Sequence, residues 1–311
     1  MKKVEMFILL ILIILFGCKK QAEQLLQVDN NSTIVKETGS YGTAAIPNST
    51  ATVPHVPSHI IFVWFENKDY NAIIGNRAAP YINSLITRGT LFTNTYGLTH
   101  PSYPNYIRFF SGQSNGVVDD NCISGSPFKT STMYNSLKGK GVSFKWFSEG
   151  LPYAGSRTCS SGYYKEKHNP TTVFTQVPDT INQPITAMNL TDTSKYKYLP
   201  RVACVTPNMI NDMHDGTINQ GDTWFKKNFS KLIDWSIKHN SIVVVYFDES
   251  ESGINNRIPV IAVGQYVAAN LKLVTKYDHY NWTKTVCAMF GANNTWTSNL
   301  NSRQLITGCW K

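Results

Sequence analysis

A three-layer α/β sandwich around a mostly parallel central sheet is the fold this sequence predicts, and two observations predict it. The first is a series of short apolar runs rich in β-branched and aromatic residues: HIIFVWF (59–65), GVSFKWF (141–147), RVACVT (201–206), SIVVVYF (241–247) and IPVIAVG (258–264). The 59–65 and 241–247 runs are apolar almost without interruption, the pattern of strands buried on both faces. The second is that helix-like segments lie between the runs, among them APYINSLITRG and DTWFKKNFSKLIDWSIKHN. The latter puts Phe225, Phe229, Leu232 and Ile233 on one face, with Asp222 as its expected N-cap.

Taken from the start, MKKVEMFILLILIILFGC joins a short basic segment, an apolar run from Met6 to Phe16 and a small residue before Cys18. This reads as a secretory signal, too short and wrongly flanked for a transmembrane helix. Its end resembles the bacterial lipobox, in which cleavage precedes a cysteine that is then acylated; the alternative is an uncleaved anchor. Either way the working part of the protein is expected at the bacterial cell envelope, facing the periplasm or the exterior and held to a membrane. Residues 1–17 are thus the expected signal peptide, and 18–57 a lipid-bearing Cys18 with a polar tether rich in Ser, Thr, Asn and Gln. Residues 58–311 are one catalytic-sized domain without repeats.

Losing residues 1–17 removes Lys2, Lys3 and Glu5, so the formal charge falls from +9 to +8. A basic surface steers anionic substrates or lipid headgroups. The lysines and arginines are scattered, with no stacking motif, so nucleic acid is not an expected partner. Setting Cys18 aside leaves Cys122, Cys159, Cys204, Cys287 and Cys309 in an oxidising compartment. At most two disulfides can form, Cys122–Cys159 and Cys287–Cys309 being the expected pairs. No Cys/His cluster has zinc-finger spacing.

In parallel sheets the residues that end separate strands meet in one crevice. The 59–65 run ends in Glu66-Asn67 and the 241–247 run in Asp248-Glu249. Carboxylates crowded in this way repel and are costly to bury alone, so the group calls for a cation. Oxygen donors suit one divalent calcium, magnesium or manganese ion better than zinc. The 201–206 run leads into a loop dense in polar side chains, with Asn208, Asn211, Asp212, His214 and Asp215 close together.

The stretch GTLFTNTYGLTHPSYPNYIRFFSG sets Ser102 between Pro101 and Pro104, just ahead of a helix expected over 105–110. Pro104 suits a first helical turn, where its missing N–H is not needed. A serine at a helix start faces backbone N–H groups and a dipole that favour an anion, and a nearby cation would lower its hydroxyl pKa.

The segment from His59 through Ser102 to Gly112 resembles the opening motif of the phosphoesterase family that holds bacterial and fungal acid phosphatases and bacterial phospholipases C. PNMINDMHDGTINQGDTWF, VVVYFDESES and YDHYNWTKTVCAMFG resemble its later motifs, in order, out to about Gly291. The family belongs to the alkaline-phosphatase superfamily, so the resemblance implies an alkaline-phosphatase-like core that is metal-dependent, with a nucleophile at a helix start. It implies that Glu66, Asn67, Asp248 and Glu249 hold the metal and that Ser102 attacks phosphorus. Asn105 and His214 would touch the phosphoryl oxygens, with Asp212 and His100 as neighbours, and His279 would complete the site. Either His214 or His279 is the expected proton donor to the leaving group. The expected reaction is hydrolysis of phosphate monoesters through a phosphoserine, on a phosphorylated small molecule or a phospholipid headgroup. A phospholipase C or other diesterase on the same site is one alternative, and a non-catalytic surface-binding lipoprotein another.

Overall fold

The computed structural model of the protein describes residues 55–253, 255–292 and 297–311. The expected signal peptide, Cys18 and residues 18–54 of the tether lie outside the described residues. Among the described residues no helix is long and apolar enough to cross a membrane.

The strands are β1 (His59–Phe65), β2 (Thr90–Tyr96), β3 (Phe144–Ser148), β4 (Ser160–Ser161), β5 (Tyr164–Lys165), β6 (Asn182–Pro184), β7 (Val202–Thr206), β8 (Ser241–Phe247), β9 (Arg257–Gly264), β10 (Leu271–Leu273) and β11 (Tyr277–Asp278). One sheet runs in the order β10-β2-β9-β8-β1-β7-β3-β6, with β11 beside β2; β4 and β5 form a separate hairpin. Only β9 runs against its neighbours β2 and β8, so the remaining strands of the sheet point the same way. Every residue of β1 and β8 is buried, as their unbroken apolarity predicts.

The helices are α1 (Tyr70–Ile73), α2 (Pro80–Ser84), α3 (Ser102–Ser111), α4 (Met133–Lys138), α5 (Ile218–Ser236), α6 (His279–Met289) and α7 (Ser298–Asn301). Alternation along β1 divides them between two faces. Phe62 and Trp64 meet Phe109 of α3, at ring separations of 5.3 and 4.9 Å, and Phe62 meets Trp282 of α6 at 5.5 Å. Phe65 turns to the opposite face and meets Phe225 of α5 at 5.6 Å. These contacts make the three layers.

Asp222 does not cap α5. That helix starts earlier, at a capping box made by Thr217 and Gln220. Asp222 lies inside it and accepts the N–H groups of Tyr81 and Ile82, at 3.0 and 2.7 Å, so it caps α2 across the domain. The Cys122–Cys159 disulfide is formed, with a Cα separation of 5.6 Å. The second expected bridge is not: Cys287 and Cys309 are both free and buried, packed as small apolar side chains in the core, where burial pushes their thiol pKa up.

Candidate active site

Because β1 and β8 are parallel and in register at Phe65 and Phe247, the residues that follow them leave the sheet side by side. Glu66 and Asp248 are fully buried, and the Asn67 N–H donates to Asp248 Oδ1 at 3.1 Å. Asn67 has φ 45, a left-handed conformation that asparagine tolerates better than most residues and that turns the chain sharply at the end of β1.

The third contributor arrives from β2. Its exit passes Gly97, where a Cβ would lie 2.7 Å from the Asp248 carbonyl oxygen; only glycine allows this approach. The chain then passes a cis His100–Pro101 bond and enters α3 at Ser102. Ser102 Oγ lies 2.9 Å from Glu66 Oε2, 3.2 Å from Asn67 Oδ1 and 3.3 Å from Glu249 Oε1. One hydroxyl proton cannot serve three acceptors. Asn67 Oδ1 faces Asp248 Oδ2 and Glu249 Oε1 as well, at 3.2 Å each. Turning the amide would place its NH2 among these oxygens. With its oxygen inward, the set becomes a cluster of oxygen donors that needs a positive charge at its centre.

Electrostatics give the same result. Burial pushes Glu66 up to about 7, and burial together with the charge of Asp248 pushes Glu249 up to about 9. Asp248 is also raised, well above the usual carboxylate range, by burial and by the charge of Glu66. Without a cation these carboxyls can hold their place only by keeping protons. The donor set therefore fits a hard divalent ion. A buried trio of Glu66, His168 and Asp212, with candidate donor atoms within 4.8 Å of one another, could also hold a metal and shares Glu66 with the first set.

His168 is a site residue that the sequence reading missed. It lies beneath Glu66, its Nε2 at 3.2 Å from Glu66 Oε2 and its Nδ1 at 3.3 Å from Asp212 Oδ2. Neither contact makes a hydrogen bond, so His168 Nε2 and Asp212 Oδ2 are both buried without a hydrogen-bond partner. Lys167, beside it, reaches Asp120 Oδ2 at 2.7 Å and His214 Nε2 at 3.3 Å. Burial works against its charge, but the Asp120 hydrogen bond and the nearby Glu66 raise its pKa. The two lie in a segment of short 3-10 turns, with none of the periodicity that flags a strand or helix.

The structure gives each of the other expected site residues its own partners. Asn105 is fully buried; its Oδ1 accepts the N–H groups of Leu98 and Thr99, and its Nδ2 donates to Thr99 O and to Glu249 Oε2. It braces the loop that delivers Ser102. His279 does not reach the site, since its Nδ1 lies 2.8 Å from the Tyr246 hydroxyl and its Nε2 2.7 Å from the Asp248 carbonyl oxygen. Burial lowers its pKa to about 4, so it is a neutral strut behind Asp248. Asp212 is buried and accepts the His214 N–H through Oδ1 at 2.8 Å, which fixes the turn that carries His214. His214 pairs through Nδ1 with Asp215 at 2.7 Å and turns Nε2 to the Lys167 ammonium, where only a lone pair is favourable. His100 sits at the mouth, its Nδ1 2.8 Å from Glu249 Oε2 and its side chain 39 % exposed.

A serine at a helix start, ringed by strand-end carboxylates on a mostly parallel sheet, puts a nucleophile, an anion position and a set of oxygen donors in one crevice, the arrangement of a hydrolytic site. Residues 64–293 match the Phosphoesterase family, and the chain belongs to it. It is a hydrolase of phosphoester bonds. The phosphatidylinositol-3-phosphatase of Mycobacterium tuberculosis is 36% identical over 254 residues, covering 81% of this chain and 83% of that protein. A probable acid phosphatase of Kluyveromyces lactis is 32% identical, covering 72% of this chain and 56% of that protein. The phosphate-repressible acid phosphatase of Penicillium chrysogenum is 31% identical, covering 74% and 58%. The chain thus spans a little over half the length of these fungal relatives. Among solved structures, an alkaline-phosphatase-superfamily protein from Vibrio parahaemolyticus aligns with a TM-score of 0.57 at 12% identity, over 81% of this chain and 72% of that one. The lipoteichoic acid synthase LtaP of Listeria monocytogenes aligns with a TM-score of 0.57 at 11% identity, over 79% and 76%. At such identities the structural likeness speaks for the fold alone.

Proposed function

We propose that the protein hydrolyses phosphate monoesters in two steps through a phosphoserine at Ser102. The observation that carries this reading is the position of Ser102 Oγ, at the start of α3 and within 3.3 Å of oxygens from Glu66, Asn67 and Glu249. Glu66, Asn67, Asp248 and Glu249 would hold one divalent cation, with calcium, magnesium or manganese suiting the oxygen donors better than zinc. When bound, the cation supplies positive charge that lowers the serine hydroxyl pKa and balances charge on the phosphoryl group.

The chain's own groups do the rest. Ser102, its hydroxyl proton released to solvent, attacks phosphorus in line as the bond to the alcohol oxygen breaks, while Lys167 and the backbone N–H groups at the start of α3 meet the equatorial oxygens. Tyr106 holds Glu66 from behind, its hydroxyl donating to Glu66 Oε1, with the His168 ring packed beside them. His100 is the imidazole best placed to give a proton to the leaving oxygen, since its side chain is open to solvent and its Nδ1 is fixed by Glu249. Water then releases phosphate from Ser102 by the reverse arrangement.

The Mycobacterium tuberculosis relative, named for a phosphoinositide, supports a phospholipid headgroup monoester as one substrate class. Lipid anchoring at Cys18, on the periplasmic or outer side of the envelope, would keep the enzyme beside such a substrate. Full-length protein is expected to release inorganic phosphate from an aryl phosphate and from vesicles carrying a phosphorylated inositol lipid. It is expected to release no phosphocholine from phosphatidylcholine vesicles. Phosphocholine release without phosphate release would replace this reading with a phospholipase C.

A further inference from the structure

The anion position at the start of α3 is already filled, and by the protein itself. Pro101 precedes the helix and Pro104 has no N–H, so Ser102 and Tyr103 supply the backbone amides that open out of its first turn. The Tyr103 N–H donates to Asp120 Oδ1 at 2.9 Å. Lys167 Nζ donates to Asp120 Oδ2 at 2.7 Å. Both oxygens of one carboxylate therefore take the donors that a phosphoryl group on Ser102 would need.

The surroundings make this carboxylate replaceable and hold it in reserve. The side chain of Asp120 is 31 % exposed, against 14 % for Lys167, so the acid can swing out while the lysine stays. The loop cannot drift far, because Cys122, two residues on, is bonded to Cys159 in the segment that leads to Lys167. Tyr103 is fixed at its other end, its hydroxyl donating to the buried Glu166, which precedes Lys167 in the same turn. The donors are thus held rigidly and the acceptor sits at the surface.

Resting on the phosphoesterase reading above, we infer that Asp120 is a resident competitor for the phosphoryl group: substrate binds by taking its place at Tyr103 N–H and Lys167, and its return helps expel inorganic phosphate. Two anions cannot share these donors, so each bound phosphoryl group displaces one carboxylate. The device sets affinity for the product as well as for the substrate, and a phosphatase working in accumulating phosphate gains from weak product binding.

The test is calorimetric titration of the full-length protein with inorganic phosphate, in the presence of a divalent cation. Asp120→Asn and Asp120→Ala remove the charge with different shapes. Each is expected to lower the phosphate Kd by about tenfold, the scale of one charge-assisted contact freed from competition, and to lower KM for an aryl phosphate in parallel. A residue that merely kept Lys167 in place would give the opposite, weaker phosphate binding in both variants. That result, or an unchanged Kd in a variant that folds, overturns the inference and leaves the function intact if wild-type protein still turns over esters. Wild-type protein that neither binds phosphate nor hydrolyses esters would overturn both. A vanadate-soaked wild-type crystal decides independently of any variant: Asp120 is expected away from the Tyr103 N–H, and finding it still bonded there contradicts the exchange.

Discussion

Ser102→Ala protein hydrolyses an aryl phosphate at least about 10⁴-fold more slowly than wild type, the scale of loss when a catalytic nucleophile is removed. The loss falls on kcat, because Ser102 forms the bond that defines the first step. Stability should barely change. The hydroxyl is one small group among oxygens already braced by Tyr106 and by Asn105, and alanine is a good residue at a helix start whose Tyr103 N–H is taken by Asp120. A variant that folds as wild type and keeps more than a tenth of wild-type turnover would place the nucleophile on another residue.

Removing the cation has the second large effect, and it is tied to pH. Glu66 and Asp212, raised to about 7, and Glu249, raised to about 9, bind protons more tightly when folded than when unfolded. Their stabilising contribution is present at low pH and is lost as pH rises through those values. The buried histidines His59, His168 and His279 and the half-buried His214 run the other way: their lowered pKa values cost stability only below the ordinary value of 6.5. Between pH 6.5 and 9 the carboxyls therefore dominate. Chelator-treated protein is expected to lose melting temperature steadily across that window, by several degrees. Magnesium or manganese restores it, more at the alkaline end, because the cation takes over from the protons. Turnover should vanish with the chelator and return with the ion. A melting temperature indifferent to both pH and cation would mean that the carboxylates do not form a metal site.

How much of this was legible in the sequence follows from how local each signal is. β1 and β8 are apolar from end to end, and their limits can be read directly from the residues. β2 reads TLFTNTY, and its partly exposed positions hide it among loop residues. β6, β10 and β11 are two or three residues long and owe their pairing to neighbours that no local pattern reveals. That Glu66, Asn67, Asp248 and Glu249 meet was readable because they directly follow buried strands, and that Ser102 starts a helix was readable because of its prolines. His168, Lys167 and Asp120 were not, since they come from irregular segments that reach the site only through the tertiary fold. His279 and Asn105 look like site residues in a motif, yet their polar atoms are consumed by backbone and side-chain partners just behind it. A motif shows which residues lie near a site; only the hydrogen-bond partners show which of them face it.

The central claim, a phosphoryl group carried by Ser102, is tested most directly by trapping it. Wild-type protein quenched in acid during turnover of a monoester, digested and sequenced by mass spectrometry, is expected to carry phosphate on Ser102, and protein quenched without substrate is expected to carry none. Phosphate found on His100 or His214, or no phosphorylated peptide under conditions where a burst of alcohol shows that an intermediate has formed, would contradict it.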